Sequence, residues 1–271
     1  MDSNTAAPSD LGATLFVLAH NDDEFFVLPR VLRETAEGRA CLFLFTTDGA
    51  AYGESPERRL SETLEVLGKF GINRSSVISL GAQLGIRDGT SHRSIDSLWK
   101  GMQQSLENRQ VARVFTLAWD GGHNDHDTAH LLAVAFAQSR GLPIMEFAAY
   151  NSFQMPKPLF RCMKLIPGRG DLVEDRVSCR EAVRWALTPR HYRSQRRAFL
   201  GLLGFCLPQI LLRRRLVTRE VTGKRYLERP HEGPLFYEVR FKVPHSEFLA
   251  ATRAFIQHHR LGEEQLAHCN S

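Results

Sequence analysis

Apolar runs and amphipathic segments alternate along the first 150 residues. The apolar runs are short enough to be buried strands, and they lie at 13–19, 41–45, 77–80, 111–118 and 144–148. Segments with apolar residues at helical spacing separate them, at about 22–37, 57–70, 95–106 and 126–139. This alternation predicts βαβ units and therefore an α/β fold with a mostly parallel sheet and helices on both faces.

The alternation stops after Tyr150. The later segments are predicted to be a loop region at 156–170, a helix at 178–203 interrupted at Pro189, a strand at 235–243 and a closing helix at 246–259. We expect a C-terminal α+β extension, and we expect residues 1–11 to form a loose tail.

Composition limits the class of protein. The chain has 271 residues, 43% of them hydrophobic, which is enough for one sizeable core. It shows neither a signal-peptide pattern near Met1 nor an apolar stretch of ~20 residues, so we expect a cytoplasmic protein without a spanning helix. The five cysteines are scattered and form no Cys-x-x-Cys, which predicts neither a disulfide framework nor a cysteine zinc site.

The first apolar run ends in an unusual cluster of polar residues, Ala19-His20-Asn21-Asp22-Asp23-Glu24. Carboxylates crowded at the end of a buried strand repel one another and resist desolvation, so a divalent cation among them is a simple solution. His20 and Asp23 offer the N and O ligands that suit zinc, which leaves Asp22 beside the metal. The alternative is an acidic first helical turn that the helix dipole favours.

A second polar cluster, His123-Asn124-Asp125-His126, follows the apolar run at 111–118 and the turn at 119–122. Carboxyl ends of parallel strands meet at one edge of a sheet, where ligands of open α/β folds bind. The two clusters should therefore converge there.

Together these motifs resemble those of the LmbE/PIG-L-like zinc N-deacetylases. Residues 19–24 are similar to that family's Ala-His-Pro-Asp-Asp-Glu, and residues 123–126 are similar to its His-Pro-Asp-His. Weaker matches are Thr47-Asp48-Gly49, Arg59-x-x-Glu62, Leu67-Gly68 and Ser194-Gln195. The resemblance covers about 13–197. Asn21 and Asn124 stand where the family usually has proline, which restricts the preceding residue, so we expect tuned rather than abolished activity.

The resemblance implies a Rossmann-like sheet, one zinc ion and hydrolysis of an N-acyl group on an amino sugar. By position, the implied zinc ligands are His20, Asp23 and His126. Asp22 would be the general base, and His123, oriented by Asp125, would stabilise the oxyanion or protonate the leaving amine. Three protein ligands leave a coordination position for water, and amide cleavage needs both a base and an acid. Another divalent transition metal would also fit this ligand set.

Three further residues have two interpretations each. Arg59 either reaches a sugar hydroxyl or acyl oxygen, or is an exposed helical charge paired with a neighbouring glutamate. Asp48 either lies near the metal or sugar hydroxyls, or forms an ordinary Asp-Gly turn. Asp120 either lies in the rim of the site or belongs to a turn. His130, one helical turn after His126, is interpreted as a packed histidine rather than a fourth ligand, because three ligands suffice.

The resemblance therefore implies a zinc-dependent hydrolase that removes an N-acetyl group from an amino sugar in a glycan, glycolipid or glycoconjugate. On this interpretation, residues 1–150 form the catalytic core, and 151–271 complete the sheet edge and the substrate site within one structural unit. Alternatives are a zinc amidase acting on a thiol-sugar or acyl-amino-acid conjugate, and a non-catalytic sugar-nucleotide binder. The first βα turn disfavours the binder, because it lacks Gly-x-Gly-x-x-Gly and its acids would repel phosphate.

The expected partner is a small-molecule or lipid-linked amino-sugar substrate, without nucleic acid; the number of subunits stays open. The net charge is +5, and the basic excess falls late in the chain. Segment 190–215 combines an apolar stretch with flanking arginines, which suits peripheral contact with the inner membrane face. The preferred alternative is a buried helix ending at 204–208 and a basic, solvated turn; the arginines could also bind a phosphate of the substrate.

Overall fold

Seven strands form one sheet in the order β3-β2-β1-β4-β5-β9-β8 in the computed structural model, which describes residues 12–51, 53–157 and 159–259. The strands of this sheet are β1 Ala13–Leu18, β2 Cys41–Phe45, β3 Val77–Ile78, β4 Val111–Leu117, β5 Ile144–Phe147, β8 Leu172–Arg176 and β9 Arg215–Glu220. The first five are parallel, whereas β9 is antiparallel to both of its neighbours. A separate antiparallel pair consists of β6 Tyr150–Asn151 and β7 Arg161–Cys162. The predicted tail at 1–11 lies outside the described residues.

Helices connect the parallel strands, so the predicted α/β class with a mostly parallel sheet is confirmed. The α-helices are α1 Leu28–Ala36, α2 Pro56–Lys69, α3 Leu80–Gln83, α4 Ile95–Ser105, α5 Asn124–Arg140, α6 Cys179–Ala186, α7 Arg196–Pro208, α8 Phe236–Arg240 and α9 His245–His259. No helix in the described part of the chain is both long enough and apolar enough to span a membrane.

The core elements follow from local sequence. Every residue of β1 and of β2 is buried, as expected for strands covered on both faces. Helix α2 begins where the Ser55 hydroxyl accepts a hydrogen bond from the Arg58 amide, with Pro56 in its first turn. Helix α5 ends at Gly141, whose φ of 63° is the left-handed conformation that glycine adopts readily.

The predicted helix at 22–37 begins later than expected. Residues Asp23–Val27 form a 3-10 turn, and α1 starts at Leu28 with Pro29 in its first turn. The Asp23 carboxylate accepts hydrogen bonds from the main-chain amides of Ala19 and His20, which holds this segment against the end of β1. These bonds take the place of a regular helical first turn.

Two expectations for the C-terminal half are wrong, and one is confirmed. The predicted strand at 235–243 is the short helix α8, whose start is capped by Glu238 through a bond from the Leu235 amide. The predicted helical segment at 178–203 and its interruption at Pro189 are confirmed, since 3-10 turns around Pro189 separate α6 from α7. A disulfide between Cys162 and Cys206 joins β7 to α7, and scattered cysteines gave no sign of it.

The order of the strands creates a crevice beside β1. The chain proceeds from β1 to β2 and β3 on one side, whereas β4 lies on the other side of β1 and is followed by β5. Neighbouring strands β1 and β4 pair in register, for example Phe16 with Phe115. Ligands of open α/β sheets bind at such a switch point, outside the carboxyl ends of the strands. The first polar cluster follows β1, and the second follows β4.

Candidate metal and active site

His20, Asp23 and His126 form a buried group at the switch point. One ligand atom from each lies within 4.8 Å of the others, and the three residues are at most 6% exposed. Asp23 Oδ1 lies 3.2 Å from His126 Nε2, and Asp23 Oδ2 lies 3.5 Å from His20 Nδ1. The structure thus brings together residues from the ends of β1 and β4.

Two more carboxylates lie next to His20. Asp125 Oδ2 is 3.1 Å and Asp88 Oδ1 is 3.5 Å from His20 Nε2, and Asp88 Oδ1 is also 3.7 Å from His123 Nε2. Although burial lowers it, the pKa of His20 is raised well above its usual value by Asp88 and by hydrogen bonds to Asp125 and Asp23. The negative potential of these carboxylates therefore favours a positive charge at this position.

His123 caps the N-terminus of α5 through its side chain. Its Nδ1 accepts a hydrogen bond from the Asp125 main-chain amide at 3.1 Å. Because an amide only donates, the proton of the neutral ring is on Nε2. Burial, followed by the nearby His20, holds the pKa of His123 well below its usual value. His123 is therefore a neutral ring with an Nε2–H donor.

Asp125 does not orient His123 in the way that the sequence suggested. We expected its carboxylate to hold a proton on the His123 ring, but the carboxylate lies 3.8 Å from Nδ1. It instead accepts bonds from the Ser91 amide and hydroxyl at 3.0 and 2.6 Å, and from the Gly89 amide at 2.5 Å. The physical reason is the helix start: the Asp125 amide, not its side chain, faces His123. Asp125 fixes the 89–91 loop to the site.

Asp22 is held in an unusual conformation beside the buried group. Its φ of 144° is rare for a residue other than glycine, and its amide donates to the buried Glu24 carboxylate at 2.9 Å. Glu24 in turn accepts a bond from the Tyr192 hydroxyl at 2.9 Å. Burial, followed by Asp22, raises the pKa of Glu24 to about 7. This network determines where the Asp22 carboxylate lies.

Arg59 is buried and not an exposed helical charge. It is 2% exposed, its Nη2 lies 3.2 Å from Asp22 Oδ2, and its Nε donates to the Gly49 carbonyl at 2.7 Å. Burial raises the pKa of Asp22, and the Arg59 charge opposes that rise. Arg59 Nη1 has no hydrogen-bond partner among the described residues, and Arg59 lines the cavity described below.

The side chains of Asp48, Asp120 and His130 lie at different depths in the protein. Asp48 lines the cavity and accepts bonds from the Ala50 and Asp88 amides, so it both forms a turn and fastens the Asp88 loop. Asp120 is 2% exposed, bonded to Asn151, and not in the expected rim, because its turn folds it beneath the surface. His130 is a packed histidine whose Nδ1 bonds to the Leu117 carbonyl.

A cavity of about 920 Å³ opens beside the buried group, lined among others by His20, Asp22, Asp23, Asp48, Arg59, Asp88 and His123. Four rings, here called the aromatic wall, form part of its lining: Tyr150, Phe160, Phe236 and Phe241. The wall reaches the site, since Tyr150 is 5.3 Å from the His126 ring and Phe241 is 4.3 Å from the His123 ring.

Sequence reasoning missed Asp88 and the aromatic wall. Asp88 stands in the glycine-rich loop after β3, another carboxyl end of the parallel sheet, and that position was a usable signal. Phe236 and Phe241 carried no such signal, because their segment was expected to be a strand.

The donor set fits a divalent metal ion. Two imidazoles and one carboxylate are a common ligand set of catalytic zinc. His126 Nε2 is buried without a hydrogen-bond partner among the described residues, although Asp23 is close to it. A buried polar atom without a partner is costly, and an ion between these three residues would satisfy it. The residues present thus suit a metal.

Fold and site together define an α/β protein with a metal-type His/Asp group at the switch point. Residues 15–137 match the model of the PIG-L family, described as GlcNAc-PI de-N-acetylase, which confirms the resemblance inferred from the motifs. None of the curated proteins matches the sequence.

Several solved deacetylase structures have a similar fold. The A40926 pseudoaglycone deacetylase Dbv21 is 16% identical, with a TM-score of 0.54 over 79% of this chain and 98% of that one. The zinc-inhibited form of teicoplanin deacetylase Orf2 is 14% identical, with a TM-score of 0.57 over 78% and 98%. N,N'-diacetylchitobiose deacetylase from Pyrococcus horikoshii is 17% identical, with a TM-score of 0.53 over 83% and 88%. At these identities the likeness establishes the fold.

Proposed function

We propose that this chain is a zinc-dependent N-deacetylase that removes an acetyl group from an amino sugar. The observation that carries the proposal is the buried group His20, Asp23 and His126 beside a large cavity that Asp22 and His123 also line. The match to the PIG-L family and the deacetylase fold support the same reaction class.

His20, Asp23 and His126 would hold the metal. When bound, the ion supplies a Lewis acid for the acyl oxygen and lowers the pKa of a water molecule to ~7. We choose zinc because its preferred ligands match this donor set. A zinc-inhibited form of one structural neighbour is known, so the ratio of zinc to protein should be varied in the assay. The aspartate also neutralises part of the charge of a divalent ion.

Asp22 acts as the general base. It is next to Asp23 in the chain, its side chain is 18% exposed, and Arg59 holds its carboxylate on the cavity side. Burial raises its pKa, which makes the carboxylate a better proton acceptor. Asp22 takes a proton from the water whose oxygen forms the new bond to the acyl carbon.

His123 acts on the other side of the amide. Its Nε2–H donates a hydrogen bond to the acyl oxygen as negative charge develops there. As the C–N bond breaks, Asp22 gives the proton that it took from the water to the departing nitrogen. The proton that leaves the water ends on the amine, so the products are acetate and the free amino sugar. The backbone bond to Nδ1 keeps the ring in this orientation.

The size and lining of the cavity favour a conjugate over a free monosaccharide. About 920 Å³ is the volume of a site for a drug-sized ligand, and the aromatic wall offers an apolar surface for a sugar ring or an aglycone. We therefore infer an amino-sugar glycoconjugate as substrate, whether a small molecule or lipid-linked. The same volume admits an acyl group longer than acetyl, which favours an amidase on a thiol-sugar or acyl-amino-acid conjugate as the second candidate.

The test combines metal analysis with a substrate panel. The full chain is stripped with a chelator, reloaded with one equivalent of zinc or another divalent metal, and assayed for acetate and free amine. The panel varies the aglycone of N-acetylglucosamine from hydroxyl to aryl and long alkyl, and varies the acyl group from acetyl to octanoyl. We expect metal-dependent acetate release that is fastest with an apolar aglycone. A stoichiometrically loaded protein that cleaves none of these compounds would overturn the proposal, and a preference for octanoyl would favour the amidase.

A further inference from the structure

Helix α7 and the turn after it expose an apolar surface. Leu200 is 75%, Phe205 39%, Leu211 43% and Leu212 79% exposed. We call these four residues the α7 face. Monomeric proteins rarely group exposed large apolar side chains in one short segment without an interaction that covers them. The expected helix ending at 204–208 is present and ends at Pro208, but it is buried on one side only.

The opposite side of this segment is anchored in the protein. Phe199, Cys206 and Ile210 are at most 3% exposed, and the disulfide from Cys206 to Cys162 joins α7 to β7. The Phe199 ring stacks on Tyr192 with centroids 5.2 Å apart. The α7 face therefore cannot turn inward without breaking these contacts, and it needs a partner outside the fold.

The segment that bears the α7 face carries only basic charges of its own, although Glu62 and Glu65 of α2 contact Ser194 and His191. Residues 182–219 contain no aspartate or glutamate, and arginines lie at both ends of the exposed segment. Arg193, Arg196 and Arg213 are exposed and have no ion-pair partner among the described residues. The face is thus an apolar surface with three exposed, unpaired arginines close to it in the chain.

We propose that the α7 face binds the surface of an anionic lipid bilayer. Leucine and phenylalanine side chains enter the boundary between headgroups and acyl chains, while arginines at the border contact lipid phosphates. A symmetric dimer through this face would bring arginines against arginines, which opposes self-association. A nucleic acid would satisfy the arginines but would leave Leu200 and Leu212 in water.

The proposed membrane surface borders the candidate active site. Arg197, Phe199 and Leu202 of α7 line the cavity that contains His20 and Asp22. Membrane binding would therefore bring the cavity close to substrates whose apolar part lies in the bilayer. This link to a lipid-linked amino sugar rests on the proposed function, whereas the docking surface itself does not.

The experiment measures partition of the full chain onto vesicles by co-sedimentation. Vesicles of phosphatidylcholine alone are compared with vesicles containing phosphatidylglycerol, each at low and at high salt. We expect binding to the anionic vesicles that salt weakens. Leu200→Glu with Leu212→Glu should abolish it, and Arg193→Gln with Arg196→Gln should lower the partition coefficient by at least about tenfold, since each arginine near an anionic surface contributes about fivefold.

Matched variants on other surfaces are the controls. Leu172 on β8 is 62% exposed, and Arg74 is an exposed arginine far from α7 in the chain, so Leu172→Glu and Arg74→Gln should bind vesicles like the wild type. Absence of binding to anionic vesicles, or an equal loss in these controls, overturns the proposal. A dimer that Leu212→Glu dissociates, without vesicle binding, assigns the face to a second copy instead. None of these outcomes depends on deacetylase activity.

Discussion

The guanidinium of Arg59 lies 3.2 Å from the carboxylate of Asp22, whose backbone has a φ of 144°. A buried ion pair on a strained backbone position is a costly arrangement, and such strain concentrates at functional sites. Here it places one carboxylate of the first polar cluster on the cavity side. Its neighbour Asp23 is directed toward His126.

The first prediction concerns Asp22. Asp22→Asn should keep the metal and lower kcat by ~100-fold or more, the usual scale for a general base. Asparagine and aspartate are both among the non-glycine residues that adopt positive φ most often, so the backbone should be retained. Single-turnover acetate release and metal content measured on the same sample check this. Wild-type kcat in the variant would contradict the assigned role.

The second prediction separates the two histidines of α5. His126→Gln should lose most of the bound metal, because one of three ligands is weakened. His130→Gln should keep it, because glutamine can still donate to the Leu117 carbonyl that His130 contacts. Metal content after dialysis against a weak chelator, with circular dichroism to confirm folding, decides the matter. Equal metal loss in both variants would mean that His126 is not a ligand.

The third prediction concerns Asn124, which stands where the family usually has proline. Its amide nitrogen lies 2.9 Å from the Gly89 carbonyl and 3.0 Å from His92 Nδ1, so it fastens the loop that carries Asp88. Proline is compatible with the first position of a helix, so Asn124→Pro should leave α5 intact. The substitution removes the two side-chain hydrogen bonds, each of which contributes about 1 kcal/mol. We expect faster amide hydrogen exchange at 87–91 and a lower kcat at unchanged metal content. Unchanged exchange would show that other contacts hold the loop.

The fourth prediction is a pH dependence of stability. Burial raises the pKa of Asp120 to about 7. The nearby Glu146 adds to this rise, whereas the hydrogen bond from Asn151 and the charge of His126 oppose it. The folded state therefore binds the Asp120 proton more tightly than the unfolded chain. That stabilisation is complete below about pH 4 and is lost as pH rises to about 7, by at most on the order of 4 kcal/mol.

Asp120→Asn should remove this component. Urea unfolding of wild type and variant at several pH values from 4.5 to 8 measures the difference in free energy of unfolding. We expect the variant to gain stability relative to the wild type as pH rises through this window. A difference that is independent of pH would show that Asp120 titrates at its ordinary value in the folded protein.

Much of the N-terminal α/β part could be predicted from sequence because its signals are local. Strands β1 and β2 are apolar throughout and buried throughout, so their pattern reports burial directly. The polar clusters follow strands β1 and β4, and the rule for parallel sheets predicted that they would meet. Strands β8 and β9 were not predicted, because β8 is exposed except at Asp175 and its pairing depends on a neighbour distant in the chain.

The sequence by itself determined the chemical groups of the site and the edge of the sheet where they lie, since both follow from strand ends and residue types. Only the tertiary structure decided that Asp88 joins His20, that the Asp125 amide sets the proton on His123, and that α7 leaves an apolar face uncovered. These relationships depend on contacts between distant segments and on the direction of individual side chains. Neither is encoded in the local pattern of hydrophobic and polar residues.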